Sequence, residues 1–241
     1  MAAHEVECFA DNCDLSRGAF EIFNVVAGDF SALEVDGFDG VVVGGSGDFS
    51  LVEGGFGWHG DYLELLRRIL DVGVPMFASC FGFQGIAQAL GGRLAANEAY
   101  SEIGTYQVEL TDRGCRDPLF GELPEVFDAQ LGHKDSVVEL PDEAMHLARS
   151  ERCEYQALRV ADRPVIATQF HPELTRERSL DRFRNYLEDY KPKGLDVEEA
   201  MEHAREQHRP SPKACELLER FAERLRDGSS VEVRAVGTTE A

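Results

Sequence analysis

The sequence predicts an α/β fold: a doubly wound, mostly parallel sheet flanked by helices, with a small antiparallel β portion and extra C-terminal helices. Three observations predict it. Short apolar runs bounded by Gly, Asp or Pro recur at residues 19–26, 38–45 and 75–80, as strands buried on both faces do. Between the last two, WHGDYLELLRRILDV (58–72) sets Tyr62, Leu65, Leu66, Ile69 and Leu70 at helical spacing, and strand, helix, strand implies parallel neighbours. From Arg93 to about Phe170 the texture turns β-rich (105–111, 127–133, 135–140, 154–160 and 164–171), and the alternation in TYQVEL predicts antiparallel pairing with one wet face.

The remaining elements follow from periodicity. Val6, Phe9, Ala10 and Cys13 fall at i, i+3, i+4 and i+7, so the chain is expected to open in a helix. Residues 174–190 read as one helix with Leu180, Phe183 and Leu187 on a common side, and two more follow at 195–207 and 211–227. In the last, Ala214, Leu217, Leu218, Phe221, Ala222 and Leu225 form an apolar stripe, most simply a face packed on the main domain, with a docking face as the alternative. The expected organisation is a main domain over residues 1–190 and a helical extension over 191–241.

Composition excludes several classes. With 24 Lys+Arg against 45 Asp+Glu, the net charge of −21 repels nucleic acid and anionic membranes. No apolar run approaches the roughly 20 residues that span a bilayer, and the N-terminus lacks an apolar signal core. Six cysteines without a CxxC spacing fit a reducing compartment, so a cytoplasmic location is expected.

Chemistry concentrates in three segments. In PMFASCFGFQG (75–85) a strand ends at Cys80 and a helix begins, with small neighbours Ala78, Ser79 and Gly82, a turn that suits either a nucleophile held exposed or a buried structural cysteine. The helix N–H groups are expected to lower the thiol pKa and to supply half an oxyanion hole. In TQFHPEL (168–174) His171 and Glu173 are an extended i, i+2 pair on one side of the backbone, so Glu173 orients the imidazole that serves Cys80 as base and acid. In GGSGD (44–48) glycines let the backbone approach a ligand and turn N–H groups inward, which suits a second oxyanion donor, a phosphate site or a plain turn.

Together, ASCFGFQ, QFHPE and the upstream GGSGD resemble the class I glutamine amidotransferase family, whose nucleophile motif is G-x-C-x-G-x-Q and whose triad ends in H-x-E. The resemblance covers residues 4–190 with the motifs in order, and implies that family's flavodoxin-like fold. It implies that Cys80 attacks the glutamine side-chain amide to form a γ-glutamyl thioester, that ammonia leaves, and that water activated by His171 releases glutamate. Glu173 is then the third triad member, Phe81 gives one oxyanion N–H, and the loop of Gly45, Ser46 and Gly47 gives the other. Gln84 is expected to bind glutamine, and LGHKDSV (131–137) resembles a substrate-side loop that makes His133 and Asp135 candidates too. An exposed turn between strands is the other reading of that loop.

No metal or organic cofactor is implied. The partners expected are glutamine or another γ-glutamyl compound and a synthetase on another chain, since no P-loop is present. A γ-glutamyl peptidase with the same triad, or a non-catalytic interaction protein on this scaffold, are the alternatives. Two departures from the family are visible. Ala78 stands where glycine is usual, crowding the turn, and the helical opening replaces the family's usual first strand. The strand-like alternation in SVEVRAV (230–236) assigns that segment to a sheet edge.

Overall fold

A computed structural model of the chain describes residues 2–27, 33–192, 194–227 and 233–237. The elements in order are α1 (Ala2–Asn12), β1 (Phe20–Asn24), β2 (Gly40–Val43), α2 (His59–Val72), β3 (Met76–Ser79), α3 (Phe81–Ala89), β4 (Arg93–Ala96), β5 (Glu102–Leu110), β6 (Val126–His133), β7 (Asp135–Glu139), β8 (Ala144–Ser150), β9 (Ala157–Val160), β10 (Val165–Thr168), α4 (Arg176–Asn185), α5 (Leu187–Tyr190), α6 (Val197–Gln207), α7 (Pro212–Arg226) and β11 (Val233–Gly237). The main sheet runs β1-β11-β2-β3-β10-β9-β8-β5-β6. Its first five strands pair in parallel and the rest antiparallel, while β4 and β7 form a separate antiparallel pair.

The strands of the parallel half are short and buried throughout, and their alternation divides the core in two. Val42, Phe77 and Ile166 face the side covered by α1 and α7, whereas Val41, Val43, Met76, Ala78, Val165 and Ala167 face the side covered by α2 and α3. Val6, Phe9, Ala10 and Cys13 all enter the first of these clusters, as the periodicity of α1 requires. The stripe on α7 does the same, with Phe221 edge-on to Phe77 at 5.7 Å between ring centroids. A Cβ on Gly40 would stand 2.6 Å from Leu225 Cδ1, which shows how closely α7 approaches β2. Among the described residues, no helix is long and apolar enough to cross a membrane.

The structure departs from the sequence reading in several places. The strand in SVEVRAV lies inside the sheet, not at its edge: β11 is parallel to β1 on one side and to β2 on the other, while residues 230–232 lie outside the described ones. The edge belongs to β1, and so Glu21 and Ile22 are exposed where burial on both faces was expected. The helix over 174–190 is broken at Tyr186, whose φ of −106° and ψ of 31° end α4 before the short α5 begins. The strands β4 and β8 carry no clean alternation, so local pattern does not mark them.

Candidate active site

The turn after β3 brings the first reactive group into place. Cys80 has φ +50° and ψ −102°, a conformation rarely adopted by a non-glycine residue and costing about 1–3 kcal/mol. Its N–H donates to Thr168 O on β10 (2.8 Å), and its carbonyl accepts the first helical bond from Gln84 N–H (3.0 Å). A Cβ at Gly82 would meet Val43 O at 2.7 Å and Ala78 Cβ at 3.1 Å, so only glycine lets α3 leave the sheet this closely. The methyl of Ala78 is accommodated in this turn.

The thiol itself departs from expectation. Burial pushes the Cys80 pKa up to about 12 and the Glu173 charge adds to this, outweighing the Arg182 guanidinium and the Phe81 N–H, which favour thiolate. A thiol so placed stays protonated at neutral pH unless a neighbouring group takes its proton.

An imidazole adjoins the same loop as Cys80. The His171 N–H is fixed to Gln130 O on β6 (2.9 Å), and Leu174 N–H returns to His171 O (3.2 Å), so residues 171–174 form a turn and not the extended pair expected. The turn still brings His171 Nδ1 within 2.6 Å of Glu173 Oε1, which also accepts from Ser79 Oγ (3.2 Å), and Asn12 Nδ2 donates to Glu173 O (2.9 Å). Burial works to raise the Glu173 pKa, but the His171 charge and hydrogen bond prevail and hold it below 4.5. Burial lowers the His171 pKa, partly opposed by Glu173. With Glu173 ionised, Nδ1 carries the proton, and Nε2, buried without a hydrogen-bond partner, is left as the acceptor.

The loop after β2 closes over this pair. A Cβ at Gly45 would lie 2.9 Å from His171 Cε1, 3.0 Å from Arg182 Nη2 and 3.5 Å from Cys80 Cβ, so the loop, the imidazole and the thiol converge on one point. The Ser46 hydroxyl accepts the N–H groups of Asp48 (3.2 Å) and Phe49 (3.3 Å), shaping the turn, and Gly47 lies against the Tyr186 ring. Phe49, Phe56 and Trp58 form an aromatic cluster with centroids 4.3–5.3 Å apart that anchors the rest of the loop. The Gly45 N–H donates to Glu5 Oε1 on α1 (2.9 Å).

The cleft in front of Cys80 has a volume of about 920 Å³. Of the expected substrate residues, Asp135 lines it and is held by Ser50 Oγ (2.6 Å). Gln84 also lines it, but its Nε2 is spent on Asp135 O (2.8 Å) and Gln169 Oε1 (3.1 Å), which makes it a brace between α3 and the β7 segment. His133 lines the cleft too, but its side chain is buried, with Nδ1 on Asp135 O (2.9 Å) and Nε2 on Glu102 Oε2 (3.0 Å). Glu102, His133 and Cys153 place donor atoms within 4.8 Å of one another, a possible metal set. Each atom is already engaged: Glu102 also accepts from Ser150 and Gln156, and Cys153 donates to Tyr100 O, which describes a closed hydrogen-bond network.

Sequence reasoning missed Glu5 and Arg182. Burial works against the Arg182 charge, yet Tyr190, Glu5, Cys80 and Glu173 around it raise its pKa further. Neither residue belongs to a motif, and no local signal marks it.

Comparison with known proteins agrees with this geometry. The family described as glutamine amidotransferase class-I matches residues 23–186, about two thirds of the chain. The chain belongs to the class I glutamine amidotransferases. This amidotransferase is 38% identical over 115 residues to a subunit of the glutamine-hydrolyzing GMP synthase of Methanopyrus kandleri, covering 48% of this chain and 59% of that one. It is 33% identical over 122 residues to the glutamine-hydrolyzing GMP synthase of Aliivibrio salmonicida, covering 50% of this chain and 23% of the relative. It therefore aligns with only part of the length of these relatives. A glutamine amidotransferase from Thermotoga maritima superposes with a TM-score of 0.59 at 25% identity, over 76% of this chain and 77% of that one.

Proposed function

We propose that this amidotransferase hydrolyses the side-chain amide of glutamine through a γ-glutamyl thioester on Cys80. The observation that carries the reading is the state of His171: Nδ1 tied to ionised Glu173, and Nε2 unpartnered beside the loop that adjoins Cys80. His171 Nε2 takes the Cys80 proton, and the thiolate attacks the amide carbon. The tetrahedral oxyanion is held by the N–H groups of Phe81 and Gly45, the same loop extending through Ser46 and Gly47. Collapse expels ammonia with the proton from His171, which then takes a proton from water to release glutamate. The groups required are side chains and backbone N–H alone.

The ammonia passes to an acceptor on another chain, a role consistent with relatives described as glutamine-hydrolyzing GMP synthases. A boundary near residue 190 is part of this reading, supported by the family match ending at 186, with α7 and β11 beyond it packing into the same core and sheet. So is a cytoplasmic location, supported by six free cysteines.

The cleft favours a second reading. Its 920 Å³ gives more room than a glutamine side chain fills, and charges of both signs line it, Lys134, Arg152 and Lys191 beside Asp48, Glu53, Glu98 and Asp135, suiting a γ-glutamyl peptide with a polar far end. The leaving group discriminates: ammonia from glutamine, an amine from the peptide. Glutamate and ammonia release would be measured on the purified protein from low to high KCl, with Cys80→Ala in parallel. Release abolished in the variant supports the reading. Release that survives it, or none from either substrate, overturns it.

A further inference from the structure

The Gly45 N–H, one of the two donors assigned to the oxyanion, already has an acceptor. Glu5 reaches it from the first turn of α1, with Oε1 at 2.9 Å. The approach is close: a Cβ on Gly44 would collide with the Glu5 carboxyl, so the loop backbone lies directly against this side chain. The groups facing Glu5 from other elements are Arg182 on α4, Glu173 in the 171–174 turn and the Gly45 N–H itself. Burial and Glu173 raise its pKa to about 7, against the pull of Arg182 and the Gly45 N–H, so the carboxyl changes charge near neutrality. No triad step uses it.

We propose that Glu5 is a positioning residue for the reaction: its carboxylate holds the Gly45 N–H in the resting enzyme, and the developing oxyanion must take that N–H over. The inference rests on the reading of Cys80 as nucleophile and the Gly45 loop as oxyanion donor. The physics is a competition between two anions for one N–H. A carboxylate accepts a stronger hydrogen bond than a neutral amide oxygen, so ionised Glu5 delays completion of the hole and a neutral side chain releases it. Arg182, close to both Gly45 and Glu5, is placed to keep the displaced carboxylate paired.

The test compares two reactions of the same thiol in wild type, Glu5→Gln and Glu5→Ala at pH 8. Glutamine turnover builds an oxyanion, whereas alkylation of Cys80 by iodoacetamide is a direct displacement that builds none. The expected result is glutamine kcat raised about tenfold in both variants, with alkylation changed less than about twofold. Rates that move together, as in a general disturbance of the site, overturn the proposal, and so does glutamine turnover that is unchanged or slower. The Gly45 amide proton gives a readout free of turnover: its NMR shift titrates near pH 7 in the wild type and not in Glu5→Gln. An amide that does not titrate also overturns it. Wild type and variants equally inert toward glutamine overturn the positioning role of Glu5 and the glutaminase reading together, whereas an active wild type with unaffected variants overturns this inference alone.

Discussion

Replacing Gly82 by alanine tests whether the close fit of β2, β3 and α3 sets the site. The added Cβ would stand 2.7 Å from Val43 O, 2.9 Å from Val43 Cγ1 and 3.1 Å from Ala78 Cβ, all shorter than ordinary van der Waals contact. The nearest obstacle is backbone and not a flexible side-chain end, so the end of β2 must shift by roughly half an ångström. Overpacking of this kind costs about 1–3 kcal/mol of stability. Val43 is the last residue of β2 and stands two positions before Gly45, so the shift passes straight into the loop proposed to hold the oxyanion. A misplacement of about 1 Å costs on the order of 100-fold in rate, and half of that is expected to lower kcat by about tenfold. Urea unfolding followed by Trp58 fluorescence gives the stability, and glutamate release gives kcat. A folded Gly82→Ala protein with kcat within about twofold of wild type would refute the reasoning, because the loop would then tolerate a moved β2.

Glu173→Gln removes the carboxylate that fixes the His171 tautomer, and kcat is expected to fall about 10³-fold or more with little change in KM; a fall of less than tenfold in steady-state assays would count against the triad. The folded pKa of Glu173 lies below its unfolded value, so it contributes stability above pH about 4.5 that is lost as pH falls through the folded value, and acid unfolding should shift to higher pH in that variant. Glu5 has the opposite sign: raised from 4.5 to about 7, it makes stability fall as pH rises across that interval. The ceiling is about 3 kcal/mol, roughly halved by its partial exposure, and thermal melts of wild type against Glu5→Gln should diverge between those pH values. With a net charge of −21, added KCl should raise the melting temperature by screening self-repulsion, and a flat or falling dependence would refute this. Truncation after Asp227 removes β11, the strand through which β1 joins the sheet, and should lower both the melting temperature and kcat; unaltered activity would detach the oxyanion loop from that strand.

Local pattern carried much of the fold. Residues 40–43 and 76–79 are apolar on both faces because helices cover both sides of the sheet there, and that burial is visible as continuous runs. The amphipathic faces of α1 and α7 were legible for the same reason. The place of β11 was not, because pairing between residues about 200 positions apart leaves no trace in the local sequence of either strand. The thiol pKa is not legible locally because the turn predicts N–H groups aimed at Cys80 but not how deeply the surrounding chain buries it at the foot of the cleft.

The glycine loop shows most clearly what a motif does and does not encode. GGSGD reads as freedom of backbone angle, yet Gly44, Gly45 and Gly47 do not adopt positive φ. They are glycines because each yields its side-chain volume to neighbouring groups: Gly44 to Glu5 of α1, Gly45 to His171 and Arg182, Gly47 to the Tyr186 ring at the end of α4. Those neighbours come from three separate segments, so the spacing of the motif marks a crowded place without naming its occupants. The same fact explains why Glu5 and Arg182 escaped the sequence reading. Apolar periodicity says which face of a helix is buried, but not which charged residue is enclosed along with it, and enclosure is what gives these two groups their electrical influence on the site.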